Sequence, residues 1–374
     1  MDAEQKLKVL ADDSRFDLSC ACGTKRASDH RHRGPDGLWL YPASLPRGGT
    51  SVMLKTLVSN ACVSDCRYCP LRAGRDIRRC TLAPEDVARL FVDYARAKKV
   101  FGLFLSSGVI RDPDTAMDRM IAVARILRRT YEYRGWLHLK VIPGASDAAI
   151  EEMLSVASAV SLNVEVPTRA AFRPLSTTKD FDRDIVRPMK VISRLRARGS
   201  RCARVKQMTQ FVVGASDETD AEIVAAAFGL YRRLRLNRVY FSAYQRGLGD
   251  PSIPGERVGA AAPEDLLTRE HRLYQTDFLI RRYQWDLEDF LFEPDGSLSL
   301  ATDPKQRWAD GHPEFFPVRL RSADRRALLR VPGVGPVTAG RILQTRRHGR
   351  LRHLGDVGLR GKRLAKAARY VVME

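Results

Sequence analysis

The sequence predicts an α/β protein: a partial, open barrel of six β-then-α units, followed by a small all-α domain at the C-terminal end. Three observations carry that expectation. From about residue 50, short runs rich in branched apolar residues alternate with longer stretches of helical period. Six such units can be counted, against the eight of a closed (β/α) barrel. After residue 317 the composition changes, and arginine-rich helical stretches flank a Gly-x-Gly turn.

The first 49 residues read as a separate extension, an early helix and then a loop-rich stretch bearing Arg, His, Pro and Gly. Strands are expected at 53–59, 100–106, 136–142, 159–166, 205–213 and 238–243. Helices are expected at 84–99, 114–130, 147–155, 180–198, 217–234 and 263–283, each beginning near Asp, Pro or Glu, as first helical turns often do. Strands that alternate with helices pair in parallel through right-handed crossovers. An open barrel and a doubly wound sheet both meet that condition. The barrel is assigned to 50–283, and the proline-bearing stretch 284–317 (Pro294, Pro304, Pro313, Pro317) to a linker or strap. Residues 318–374 form the C-terminal domain.

With 374 residues and 44% hydrophobic content, the chain can bury a sizeable core, which excludes wholesale disorder. Sixty-four Lys/Arg stand against 44 Asp/Glu, a formal charge of +20. Such an excess points to a polyanionic partner, nucleic acid first and an anionic membrane surface second. No apolar run approaches the ~18 residues of a spanning helix, and the start lacks the apolar core of a secretory signal. The expected location is the cytoplasm, with no membrane partner. Residues 318–374 hold fifteen Lys/Arg against Asp324, Asp356 and Glu374, so twelve of the twenty net charges lie there.

Three of seven cysteines fall within eight residues, as Cys62-x3-Cys66-x2-Cys69 in SNACVSDCRYCPLR, directly after the first barrel strand. Thiolate is a soft ligand suited to iron–sulfur clusters and zinc. Structural zinc usually takes four ligands in two pairs, whereas three on one loop match a cubane with one iron left open. Cys20, Cys22, Cys80 and Cys202 form no compact ligand motif and read as spare thiols or packing.

The spacing, with Tyr68 just before the third cysteine, resembles the radical S-adenosylmethionine superfamily. The resemblance implies a [4Fe–4S] cluster on Cys62, Cys66 and Cys69, its open iron chelated by the amino and carboxylate groups of S-adenosylmethionine. It further implies reductive cleavage to a 5′-deoxyadenosyl radical, with an electron donor such as flavodoxin or ferredoxin. Ser106, Ser107 and Gly108 stand where the superfamily often has a Gly-Gly-Glu-like turn for the cosubstrate's amino group, a departure that removes the carboxylate. Strand alternation puts Asn163 and Glu165 on one face, where they resemble the superfamily's ribose- and methionine-binding residues. Gly214 matches the turn that lies against the adenine. His138 and Lys140 are given no catalytic role, and Tyr240, Tyr244 and Cys202 are candidate hydrogen donors by residue type alone.

In the tail, ALLRVPGVGPVTAGRIL resembles a helix-hairpin-helix motif, with Gly333-Val334-Gly335 at its turn. The motif implies backbone N–H groups offered to a DNA phosphate. A weaker copy surrounds Gly358 and Gly361, and Arg341, Arg346, Arg347, Lys362 and Arg363 supply charge nearby. The two halves together are similar, over nearly the whole chain, to a narrower family of radical S-adenosylmethionine proteins assigned to DNA modification or repair and associated with uracil-DNA glycosylase-like proteins. The phrases LVSNACVSDCRYCP, LFLSSGV, TQFVVGASDETD and FFPVRLRSADRRALLRVPGVG carry that likeness. It implies an enzyme acting on duplex or damaged DNA, with a uracil-DNA glycosylase-like partner. A radical enzyme modifying RNA, or a nucleic-acid-binding protein with a structural iron–sulfur cluster, are the alternative readings.

Overall fold

The computed structural model describes residues 1–14, the strand segments 32–33 and 39–44, and residues 50–374 apart from Lys98 and Arg350. Cys20 and Cys22 lie outside the described residues. The chain divides into two compact units, Met1–Glu218 with Gly229–Glu270, and Thr219–Phe228 with His271–Glu374.

The first unit is built on one sheet in strictly sequential order. Its strands are β1 (His32–Arg33), β2 (Trp39–Ser44), β3 (Thr50–Leu57), β4 (Gly102–Ser106), β5 (Trp136–Lys140), β6 (Ala159–Ser161), β7 (Lys206–Val213) and β8 (Arg238–Ala243). All pairs from β3 to β8 are parallel, so the six expected parallel strands are present. A doubly wound sheet would reverse its order at a switch point; sequential order rules that out. β1 and β2 pair antiparallel with each other and with β3, so the segment read as a detached, loop-rich extension instead lengthens the barrel sheet.

The helices are α1 (Ala3–Asp13), α2 (Pro84–Arg96), α3 (Pro113–Arg125), α4 (Asp147–Val156), α5 (Arg169–Phe172), α6 (Arg187–Leu195), α7 (Asp220–Leu234) and α8 (Pro263–Tyr283). Their starts follow from local chemistry. Asp112 accepts from the Thr115 N–H at 2.8 Å and Ser146 from the Ala149 N–H at 3.2 Å, each filling an unmet donor of a first turn. α2 packs on α3, α3 on α4 and α4 on α6, an outer layer that covers the sheet. β4 is buried along its whole length, as a parallel strand between helices and barrel interior should be. α1 packs on β3, and Ser14 beyond its end donates to the Lys55 carbonyl at 3.2 Å, which ties the N-terminal helix to the barrel.

Three expected elements change; one is the helix at 114–130, whose last turn, Ile126–Thr130, is a π turn. The strand at 159–166 ends at Ser161, and Glu165 takes φ +65°, a left-handed conformation incompatible with a continuing strand. The helix at 180–198 begins as a wide π turn over Phe181–Val186 and becomes α-helical only at Arg187. Pro188 has no N–H to give the carbonyl four residues earlier, so regular winding cannot extend back through it.

The second unit contains α9 (Pro304–Gly311), β9 (Val318–Arg319), α10 (Arg325–Arg330), α11 (Pro336–Arg347), α12 (Gly361–Ala368) and β10 (Val371–Val372). β9 and β10 pair in parallel, so the C-terminal region is not all-α. Its core includes Leu320, Leu328, Val331, Val334, Ile342 and Leu354. Residues 284–317 are part of this unit rather than a linker. Arg330 packs against the tilted rings of Trp285 and Trp308, 4.3 and 4.5 Å from their centres, and pairs with Asp289 at 2.6 Å. Lys366 pairs with Asp303 at 3.2 Å, and Gln306 donates to the Tyr370 hydroxyl at 2.7 Å. Among the described residues, no helix is long and apolar enough to cross a membrane.

Candidate active site

Leu57 of β3, Ser106 of β4, Lys140 of β5, Val212 of β7 and Ala243 of β8 all line one cavity of about 210 Å³. Strands at opposite ends of the order reach the same space only because the sheet curls. The cavity sits at the carboxyl ends of the strands, where parallel α/β folds place their ligands. Cys62, Cys66, Cys69, Tyr68, Ser106, Ser107, Gly108, Asn163 and Glu165 line it together. Gly214 is not among the lining residues; its N–H donates to the buried Glu218 carboxylate at 2.6 Å.

The loop bearing the cysteines is fixed from three sides. On the β4 side, the Gly108 N–H donates to the Ser59 carbonyl at 2.7 Å and the Val63 N–H to the Val109 carbonyl at 2.8 Å. On the second side, Asp65 accepts from the Thr177 N–H at 2.7 Å and from the hydroxyls of Ser176, Thr177 and Thr178. These donors hold its carboxyl well below the usual carboxylate range although burial pushes the other way. On the third, Arg72 donates to the carbonyls of Cys69, Leu248 and Gly249, and Arg79 to those of Asn60, Leu71, Arg72 and Arg75. Backbone carbonyls of an irregular loop need donors, and two guanidinium groups provide them.

Inside, the Lys179 amine donates to Cys66 Sγ at 3.0 Å. Burial lowers its basicity, yet the neighbouring Cys66 and Glu165 hold it above its ordinary 10.5. The Leu71 N–H points at Cys69 Sγ and the Val109 N–H at Cys62 Sγ, each at 3.4 Å. Burial pushes the Cys66 thiol up, and the Cys69 thiol up to about 12. Ionising these thiols in a buried pocket therefore calls for a strong electrophile bound to them. Among the described residues, no three His, Cys, Asp or Glu side chains are grouped to hold a single metal ion. The three thiols share a cavity without meeting at one point, and a polynuclear cluster, in which each thiolate binds a different iron, fits such a donor set.

Asn163 donates to Glu165 at 3.4 Å, and the Tyr68 hydroxyl hydrogen-bonds Glu165. The pair expected from strand alternation thus meets by another route, since the left-handed turn at Glu165 aims the carboxylate. Lys140, Gln210, Ser242 and Tyr244 also line the cavity. Tyr240 and Cys202 do not, and His138 is engaged with Ser161 at 2.9 Å. Lys179 had no local signal. It lies 113 residues from Cys66, and only the polar run Ser176-Thr177-Thr178 before it hints at a built turn.

In the second unit, α10 and α11 flank the turn 331–335. Gly333 has φ +87°, and a Cβ there would come within 2.9 Å of the Arg363 carbonyl oxygen. Gly335 caps α11 in an extended conformation. Val334, expected to contact DNA, is instead buried in the core with its N–H donating to the Val331 carbonyl at 3.1 Å, so it anchors the turn. Its carbonyl accepts from Lys305 Nζ at 2.5 Å. Gly358 takes positive φ before α12, as Gly333 does before α11, and Gly361, the first residue of α12, does so too. Arg341, Lys362 and Arg363 are exposed, and Arg363 reaches back to the Gly333 carbonyl at 3.5 Å. Arg346 instead donates inward to the Leu320 and Ala323 carbonyls.

No family model matches the chain, and no curated protein sequence matches it. Solved structures similar to it are distant. A methylornithine synthase (PylB) is 14% identical, with 60% of this chain and 62% of that chain covered and a TM-score of 0.47. HydG, a maturase of the [FeFe]-hydrogenase, is 13% identical over 85% and 80%, TM-score 0.46. The cobalamin-dependent S-adenosylmethionine radical enzyme OxsB is 13% identical over 79% and 45%, TM-score 0.37. The chain thus spans 62% of the length of the synthase, and the functional reading rests on the residues of its own cavity.

Proposed function

We propose that the protein is a radical S-adenosylmethionine enzyme that acts on DNA. The observation that carries the first part is the cavity: three thiols of one loop, a lysine on one of them and a carboxylate held by Tyr68 and Asn163, at the carboxyl edge of an open parallel sheet. Cys62, Cys66 and Cys69 would hold a [4Fe–4S] cluster. Reduced by a flavodoxin- or ferredoxin-type donor, a cluster held there would pass one electron to the sulfonium of S-adenosylmethionine, breaking its C5′–S bond to give methionine and a 5′-deoxyadenosyl radical able to take hydrogen from the substrate.

The chain's own residues provide the setting. Lys179 places positive charge among the thiolates, and Lys140 and Glu165 present opposite charges to a zwitterionic cosubstrate. Burial keeps water from a reactive intermediate. The DNA part is supported by the arginine-rich second unit and by its two glycine turns, each leading into a helix that has no side-chain cap at its start. Such contacts position a backbone without choosing sequence. A uracil-DNA glycosylase-like protein is the partner proposed from the sequence resemblance alone.

Anaerobic reconstitution tests the reading. The wild-type chain should bind about four irons and release 5′-deoxyadenosine from S-adenosylmethionine under a strong reductant. Cys66→Ala should lose both. A full iron complement in the variant, or an intact cluster that yields no 5′-deoxyadenosine, overturns the assignment.

A further inference from the structure

A second concavity, of about 360 Å³, lies within the second unit between α8 and the start of α9. His271, Gln275, Phe278 and Tyr283 of α8 form one wall, and Asp303 and Lys305 another. Phe278 is 45% exposed, a large aromatic ring open to solvent. Its ring meets that of Tyr283 edge to face, with centres 5.8 Å apart. Around this apolar surface stand groups that donate and accept: Gln275 and His271, 3.2 Å apart, and the Asp303 carboxylate. Lys305 is 9% exposed, lies 4.8 Å from the centre of the Tyr283 ring, and gives its amine to the Val334 carbonyl at 2.5 Å. A Cβ on Gly335 would lie 3.3 Å from the Tyr283 hydroxyl. The groove therefore ends where the glycine turn begins.

We propose that this groove receives an unpaired base of the strand whose phosphate the Gly333–Gly335 turn holds, a site separate from the barrel cavity and resting on the nucleic-acid reading above. The chemistry selects that occupant. A base has a flat face for Phe278 and a polar edge for Gln275, His271 and Asp303, and it lies one sugar away from a phosphate. Gln275, His271 and Asp303 already bond Arg272, one another and Lys366, and a base edge can add to those bonds where a purely apolar segment would only cover them, at a cost in lost hydration. The basic surface of the unit favours a polyanion, and stacking on an aromatic ring tolerates any base. The groove would thus recognise local unpairing rather than sequence.

The full chain is titrated with two duplexes of equal length, one fully paired and one with a single unpaired 2-aminopurine, at several salt concentrations. Wild type should bind the second about tenfold more tightly and quench the 2-aminopurine fluorescence. Phe278→Ala should lose the preference and the quenching while keeping its affinity for the paired duplex, and Phe278→Trp should keep both. Equal weakening of Phe278→Ala on the two duplexes overturns the proposal, as does paired binding by wild type with no preference. Failure of wild type to bind either duplex overturns the nucleic-acid reading itself.

Discussion

The missing side chain of Gly108 decides how closely β4 can approach the cysteine loop. A Cβ there would stand 2.3 Å from the Ala61 carbonyl oxygen, so any other residue must push apart two backbones that hydrogen-bond across the gap. Gly108→Val should therefore cut iron binding on reconstitution several-fold and cost roughly 1–3 kcal/mol of stability, measured by iron content and urea unfolding. Iron content equal to wild type would show that the loop tolerates the displacement. The same scale shows what sequence can reveal. Three thiols a few residues apart report their shared task through spacing alone. Lys179 reports nothing, because its partner is brought to it by a turn that Asp65 organises from across the fold. Glu165 was identified from an alternation that the backbone abandons at Ser161.

Elements were most legible where period and burial agree. The six parallel strands and the helices between them follow from apolar runs and helix starts. The antiparallel pair β1 and β2 was hidden by a composition that resembles a loop, and the π turn at Phe181–Val186 by a helical pattern interrupted only by Pro188. In the tail, the two glycines of one turn are not equivalent. Gly333 is required by its positive φ and by the Arg363 backbone, whereas Gly335 has φ −107° and only the Tyr283 hydroxyl nearby. Gly333→Val should weaken duplex binding about tenfold or more, Gly335→Ala much less, and neither should change iron content. A fluorescence titration across a salt series that finds the two variants alike would remove the turn from the binding surface.

For the whole molecule, the charge is arranged rather than merely large. Residues 284–317 carry eight Asp/Glu against Lys305 and Arg307, and three of those acids pair with Arg326, Arg330 and Lys366 of the basic tail. The acidic strap thus neutralises part of the tail and leaves the rest for a polyanion. Lys305 is the exception within it. Burial pushes its amine down from the ordinary 10.5 to about 7, so between those values the unfolded chain holds the extra proton and stability rises with pH. From pH 6.5 to 9.5 wild type should gain roughly 1–3 kcal/mol relative to Lys305→Met in urea unfolding; parallel pH profiles would show that the amine is not buried as a neutral group.

The clasp of Asp65 on Ser176, Thr177 and Thr178 also sets an order of events at the ribosome. The Ser176 partner lies 111 residues downstream of Asp65, and at ordinary synthesis rates that separation takes on the order of ten seconds to make. Throughout that interval the loop of Cys62, Cys66 and Cys69 lacks the Asp65 clasp and the Lys179 amine, and only the contacts to Arg72, Arg79 and the end of β4, made earlier in the chain, can hold it. The surroundings of the three thiols are therefore complete only once Lys179 has been made.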